Sequence, residues 1–110
     1  MPTPEAAIPL PLSPYGITKL ACENLAYAYG QELGLEAVVL RYFTIFGPRQ
    51  RPDMAFTAMC MALRDGRPFE LFGDGTQSRS FTYVDDAVEA TILAMERGRA
   101  GVIYNVGGGV

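Results

Sequence analysis

Apolar and polar positions change period several times along the 110 residues. Residues 1–12 contain Pro2, Pro4, Pro9 and Pro11 and follow neither a helical nor a strand period, which predicts an extended loop. From Pro14 to Leu33, small and apolar residues such as Leu20, Ala21, Leu25, Ala28 and Tyr29 spread over more than a narrow helical stripe. Such a helix expects cover on more than one side. Ser13 suits its N-cap, Pro14 its first turn and Gly34 its C-terminal stop. The apolar and β-branched run 37–43, bounded by Gly34 and Gly47, predicts a buried strand.

Further on, Asp53 is placed to cap a second helix over 54–64, which Gly66 ends. A short strand over 69–72, a turn at Gly73-Asp74-Gly75 and a strand over 80–84 follow. Asp85 is placed to cap a third helix reaching about Arg97, with Gly98 behind it, and a last strand over 102–106 runs into Gly107, Gly108 and Gly109. The order is helix, strand, helix, strand, strand, helix, strand. This alternation predicts an α/β fold with a mainly parallel sheet.

Composition narrows the class. A chain 49% hydrophobic and 19% charged is globular rather than disordered. Nine basic against twelve acidic residues give a net charge of −3, which does not favour nucleic acid or an anionic membrane as a partner. The absence of histidine excludes His-based triads and most zinc sites, so no metal is expected. Cys22 and Cys60 lie in apolar helical stretches and read as buried free thiols of a reducing cytoplasm rather than a disulfide. No apolar run approaches membrane-spanning length, and the first residues lack the basic region of a signal peptide. The expectation is a cytoplasmic protein.

Four constellations carry candidate chemistry. Tyr15 and Lys19 are four residues apart at the start of the first helix, hence on one face. An ammonium close to a phenol favours the phenolate, which suits proton transfer during hydride chemistry at a sugar or alcohol carbon. The pattern is common by chance, and a solvated lysine beside a helix-start tyrosine is the alternative. Lys19 is however the only lysine, and Ser13-Pro14-Tyr15-Gly16 sets the pair beside a loop. Next, the run Arg41 to Pro48 brings aromatics and Gly47-Pro48 to a strand's carboxyl end, where open α/β sheets bind ligands, or else it is simply an aromatic-packed strand end. Arg49, Arg51 and Arg79 have the planar fork that suits a diphosphate, with surface ion pairing as the alternative. Gly107 to Gly109 lack a following helix and read better as a flexible loop than as a phosphate cradle.

In order and spacing, Ser13 to Leu20, Arg41 to Phe43 with Gly47-Pro48, Arg51 to Phe56, and Gly73 to Gly75 with Arg79 to Asp86 resemble the extended short-chain dehydrogenase/reductase family. The branch they resemble is that of the NAD-dependent nucleotide-sugar epimerases and dehydratases, UDP-glucose 4-epimerase and its relatives in particular. The resemblance implies that Tyr15 is the catalytic acid/base and that Lys19 holds the nicotinamide ribose. Phe43 stands where the family's backbone approaches the nicotinamide. Thr44 takes a sugar-nucleotide position that is often Asn, a departure that bears on the choice of substrate. Arg79 matches the arginine that pairs with the substrate diphosphate, and Arg49, Arg51 and Phe56 fall in nucleotide-binding segments.

The family's glycine-rich dinucleotide loop has no counterpart before Tyr15, and neither Thr3 nor Ser13 matches the Ser/Thr that usually partners the tyrosine. The resemblance therefore implies a single partial domain over 1–110: an extended loop (1–12), a catalytic helix with its following strand (13–48), and a substrate-binding region of helices and short strands (49–110). Its fold is expected to be part of a Rossmann-like parallel sheet with part of a small substrate-binding region, lacking the N-terminal dinucleotide-binding half. The implied cofactor is NAD in the complete enzyme, with weak or absent binding by this chain. The implied partners are a nucleotide-diphosphate sugar and a second copy docking through the helix from Pro14 to Leu33. A dehydratase, a reductase, an inactive truncated fragment, a sugar-nucleotide-binding module and a dimerising scaffold are the other readings.

Overall fold

A computed structural model describes residues 3–71, 73–76 and 78–108 of the chain. Residues 3–12 hold neither helix nor strand, as the prolines require. Helix α1 runs over Pro14–Leu33. Ser13 is extended (φ −136°, ψ 153°) and its Oγ accepts the Gly16 N–H at 3.1 Å, while Pro14 fills a first-turn position that needs no donor. At the other end Gly34 turns left-handed (φ 69°) and donates its N–H to the Gly30 carbonyl.

The strand expected over 37–43 forms as β1 (Val39–Tyr42), half-buried up to an exposed Tyr42, and residues expected to start a loop form a second, half-buried strand, β2 (Thr44–Phe46). Each pairs in parallel with a different strand: β1 with β4 (Ile103–Val106), Val39 opposite Ile103, and β2 with β3 (Phe81–Tyr83), Thr44 opposite Phe81. Phe43 is the crossing point, and its N–H still bonds the Val106 carbonyl at 2.9 Å. Two small parallel sheets result, so the α/β class and the parallel pairing stand as expected. No strand forms over 69–71, because no neighbouring strand offers those residues a ladder among the described residues, and Phe72 lies outside them.

Helices α2 (Ala55–Arg64) and α3 (Val84–Arg97) are capped differently from expectation. Met54, not Asp53, is the N-cap of α2, and no side chain bonds there, since Arg51 has captured the Asp53 carboxylate. Tyr83 is the N-cap of α3, which places Asp85 and Asp86 inside the first turn, where their charge faces the positive end of the helix dipole. Between β2 and α2, Gly47 (φ 154°) passes so close to Val84 that a Cβ there would lie 2.5 Å from its Cγ1. Only glycine fits that turn.

The core is small. Among the described residues Ala62, Ala87, Val106 and the hydroxyl-bearing Thr82 are buried, and Phe46, Phe56, Phe81 and Tyr83 form an aromatic cluster. No residue of α1 is buried, so the wide apolar face read from its sequence lacks the cover it expects. Cys22 and Cys60 are free, but exposed rather than buried. The accessible surface is 8963 Å², whereas a compact 12.0 kDa monomer exposes about 6000 Å². The radius of gyration is likewise 16.9 Å, against about 13 Å for a compact chain of this length.

Candidate active site

The α1 N-terminus brings Tyr15 and Lys19 onto one face, and the Lys19 ammonium stands 5.4 Å from the centre of the Tyr15 ring. Local bonding sets this turn: besides the Ser13 cap, the Thr18 hydroxyl donates to the Tyr15 carbonyl at 2.8 Å. Tyr15 is 71% exposed, so its hydroxyl is open to an incoming molecule. Beside the pair lies a groove of about 580 Å³ between α1 and β1, lined by Tyr15, Lys19, Cys22, Glu23, Arg41 and Tyr42 among others. An accessible phenol and ammonium at the rim of such a groove offer one proton carrier and several hydrogen-bond donors.

Phe43 follows directly where β1 ends. A Cβ on Gly107 would come within 3.0 Å of the Phe43 ring, so the glycine leaves room for the aromatic. Thr44 opens β2 and is half-buried opposite Phe81. Neither Thr44 nor Arg49, Arg51, Phe56 or Arg79 lines the Tyr15 groove. The expected site residues thus divide into a group on α1 and at the end of β1, and a second group from the start of β2 onward.

Within the second group each residue has its own setting. Arg49 sits in the left-handed region (φ 65°), in the turn after Gly47-Pro48. Arg51 holds Asp53 in a forked pair at 3.0 and 2.6 Å, and that pairing keeps the Asp53 carboxyl below its usual range and raises the guanidinium above its own. Phe56 stacks on Phe46, with centroids 4.9 Å apart, and meets Phe81 edge-on at 4.6 Å, so its ring is packed inside the chain. Arg79 is exposed and donates to the Ser78 carbonyl at 2.9 Å. Gly109 lies outside the described residues, and Gly108 accepts the Ser80 hydroxyl at 3.4 Å.

Sequence reading missed two polar devices that shape the site. Arg41 on β1 grips Glu23 on α1 through two bonds of 2.9 and 2.7 Å, a hydrogen-bonded pairing that raises the guanidinium above its ordinary value. The signal was an arginine inside an apolar strand, since a half-buried charge needs a partner. Gln50 donates to the Ile45 carbonyl at 2.8 Å and accepts the Thr57 hydroxyl at 3.1 Å, which braces the turn that carries Arg49. Nothing in the spacing of Gln50 marks that role.

Among known proteins, the model of the NAD dependent epimerase/dehydratase family matches residues 2–107. The UDP-glucose epimerase YtcB of Bacillus subtilis, itself uncharacterized, is 46% identical over 99 residues, covering 89% of this chain and 31% of its own length. UDP-glucuronate 4-epimerase of Thermodesulfobacterium geofontis is 44% identical, with 90% of this chain and 30% of that protein covered. Among solved structures, UDP-glucuronic acid 4-epimerase from Bacillus cereus, in complex with UDP-glucuronic acid and NAD, superposes with a TM-score of 0.93 at 45% identity. That match covers 98% of this chain and 35% of the other. The dTDP-glucose 4,6-dehydratase of Bacillus anthracis, in complex with NAD, gives 0.94 at 30% identity with the same coverage. The chain spans about a third of the length of these relatives. It belongs to the NAD dependent epimerase/dehydratase family.

Proposed function

We propose that this chain supplies the acid–base residues and part of the sugar-nucleotide surface of an NAD-dependent nucleotide-sugar 4-epimerase. The observation that carries the reading is the Tyr15–Lys19 pair, exposed together at the rim of the groove between α1 and β1. The residues present fit the nicotinamide-ribose end of NAD: the Tyr15 hydroxyl and the Lys19 ammonium are donors suited to ribose hydroxyls, and the Phe43 backbone stands at the end of β1. Bound there, NAD supplies the hydride acceptor and donor. For its pyrophosphate, the 110 residues offer no glycine-rich loop before Tyr15, so on their own they are expected to bind NAD weakly.

In this reading the Tyr15 oxygen takes the proton of the sugar hydroxyl as the carbon is oxidised, and returns it when the keto sugar has presented its other face. Lys19 anchors the ribose beside it. Arg49, Arg51 and Arg79 face the substrate diphosphate, with Arg51 exchanging Asp53 for phosphate oxygens, a swap between partners of the same forked geometry. Thr44 contacts the sugar nucleotide, and Phe56 shapes its pocket from within the aromatic cluster. Epimerase is preferred to dehydratase because the solved epimerase is 45% identical against 30% for the dehydratase of Bacillus anthracis. A second copy docks on α1, whose residues are all at least partly exposed.

Turnover of UDP-glucose and UDP-glucuronic acid by the full-length protein, with and without Tyr15→Phe, tests the proposal. Interconversion of either sugar at C4 that Tyr15→Phe removes is the expected result. Loss of water from the sugar would identify a dehydratase instead.

A further inference from the structure

Tyr15, Lys19 and Glu23 follow one another at intervals of four residues, so they share one face of α1. Glu23 is the only one of the three with a partner across the groove. Both its carboxylate oxygens bond the Arg41 fork, at 2.9 and 2.7 Å, and both side chains are about four-fifths buried, with 17% and 22% of their surface exposed. Among the described residues, these are the side-chain hydrogen bonds that join α1 to a strand.

Arg41 is itself fixed. It lies in β1 opposite Asn105 of β4, and its remaining amino group reaches the Glu5 carbonyl at 3.3 Å. The Glu5 carboxylate accepts the Asn105 N–H at 2.9 Å, and the Asn105 side chain donates to the Thr3 carbonyl at 2.7 Å. Loop, β1 and α1 therefore meet at one guanidinium, and β4 is tied to the same loop through Asn105. Two residues further along the chain, the same strand delivers Phe43.

We propose that the Glu23–Arg41 pair sets the roll of α1 about its own axis and thereby aims Tyr15 and Lys19 relative to the end of β1. A forked pair has this power because its two parallel bonds fix direction as well as distance. Among the described residues none of α1 is buried, and this pair is the polar tie between α1 and β1. The lever is sensitive: side-chain tips stand about 5–6 Å from a helix axis, so a roll of about 10° moves them by about 1 Å. A misplacement of that size costs up to about 100-fold in rate where reacting groups must be aligned. Glu23 and Arg41 are positioning residues, acting through Tyr15 and Lys19. The assignment rests on the acid–base role proposed for Tyr15, but the orientation it describes can be read without turnover.

The test has two arms. In the chain labelled with ¹³C-tyrosine, the Tyr15 ring signals are assigned by their loss in Tyr15→Phe, and Glu23→Gln, Arg41→Lys and the double variant are compared. Glu23→Gln is expected to move the Tyr15 signals while those of Tyr83, in the aromatic cluster, stay in place. Arg41→Lys, which keeps the charge and loses the fork, moves them less, and the double variant adds nothing to Glu23→Gln. In the full-length protein, Glu23→Gln is expected to lower kcat by about 10- to 100-fold with KM changed less than about twofold, and Arg41→Lys to lie between it and wild type. Unmoved Tyr15 signals overturn the inference. So does an unchanged kcat in a protein that Tyr15→Phe inactivates, or a loss in Glu23→Gln that merely follows the unfolded fraction in a thermal melt. If Tyr15→Phe stays active, the proposed function falls, while the resonance arm still decides whether the pair sets the roll.

Discussion

The Lys19 ammonium lies over the Tyr15 ring, 5.4 Å from its centre and one turn further along α1. The pair is formed by helix geometry alone, and the Ser13 cap holds its first turn in place. Tyr15→Phe keeps the ring and loses the transferable proton. It is expected to abolish turnover in the full-length protein while leaving binding of the nucleotide sugar within a few-fold of wild type. Lys19→Met should lower kcat as well, because the donors to the ribose disappear. Steady-state kinetics beside a binding titration check both.

Phe56 is placed by packing, stacked on Phe46 and edge-on to Phe81. Phe56→Ala removes both contacts from one of the few dense regions of the chain. A half-buried phenylalanine should lose less than the full core value, so about 2–4 kcal/mol of stability is expected to go. Chemical denaturation measures it. A change under about 1 kcal/mol would show that the aromatic cluster is not structural.

Four exposed carboxylates are held below their ordinary range. Glu5 is lowered chiefly by the Asn105 N–H, Asp53 by the Arg51 fork, Asp65 by Arg64 and then Arg67, and Asp74 by the Thr76 hydroxyl and N–H. A carboxyl depressed by folding contributes stability that is complete above its unfolded value, near pH 4, and is lost as pH falls through the folded value. Melting temperature should therefore be flat with respect to these groups from neutral pH down to about 4–5 and fall below that. Asp65→Asn and Asp74→Asn should each lower the neutral plateau and leave the melting temperature at low pH close to wild type, which flattens the acid limb.

Surface exposure makes the next expectation. The chain exposes about 3000 Å² more than a compact monomer of its mass, and Leu25, Tyr27 and Leu33 of α1 are among the exposed apolar groups. A stable interface takes only about 800 Å² from each partner. The 110-residue chain is expected to self-associate in sedimentation at rising concentration, and Leu25→Lys should shift it toward monomer. A compact monomer with a sharp melting transition would contradict this.

Short-range order was legible in the sequence. Pro14–Leu33 begins and ends where Ser13, Pro14 and Gly34 mark it, because capping joins groups three or four residues apart and leaves little for the rest of the chain to decide. The adjacency of Tyr15 and Lys19 follows from the same helical repeat. The parallel α/β class followed from the alternation of elements.

Tertiary structure decided whatever depended on a distant partner. Residues 37–46 carry no mark of the break at Phe43, which exists because β4 pairs with the residues before it and β3 with those after. Asp53 has the right chemistry for a cap, yet Arg51 bonds its carboxylate first. The exposure of Cys22 and Cys60 reflects faces that no other element covers. Arg41 and Glu23 meet from 18 residues apart. A half-buried strand arginine needs an acid. Which acid it finds depends on the packing of α1 beside β1, because charge pairs form between neighbours in space and spacing along the chain does not encode them.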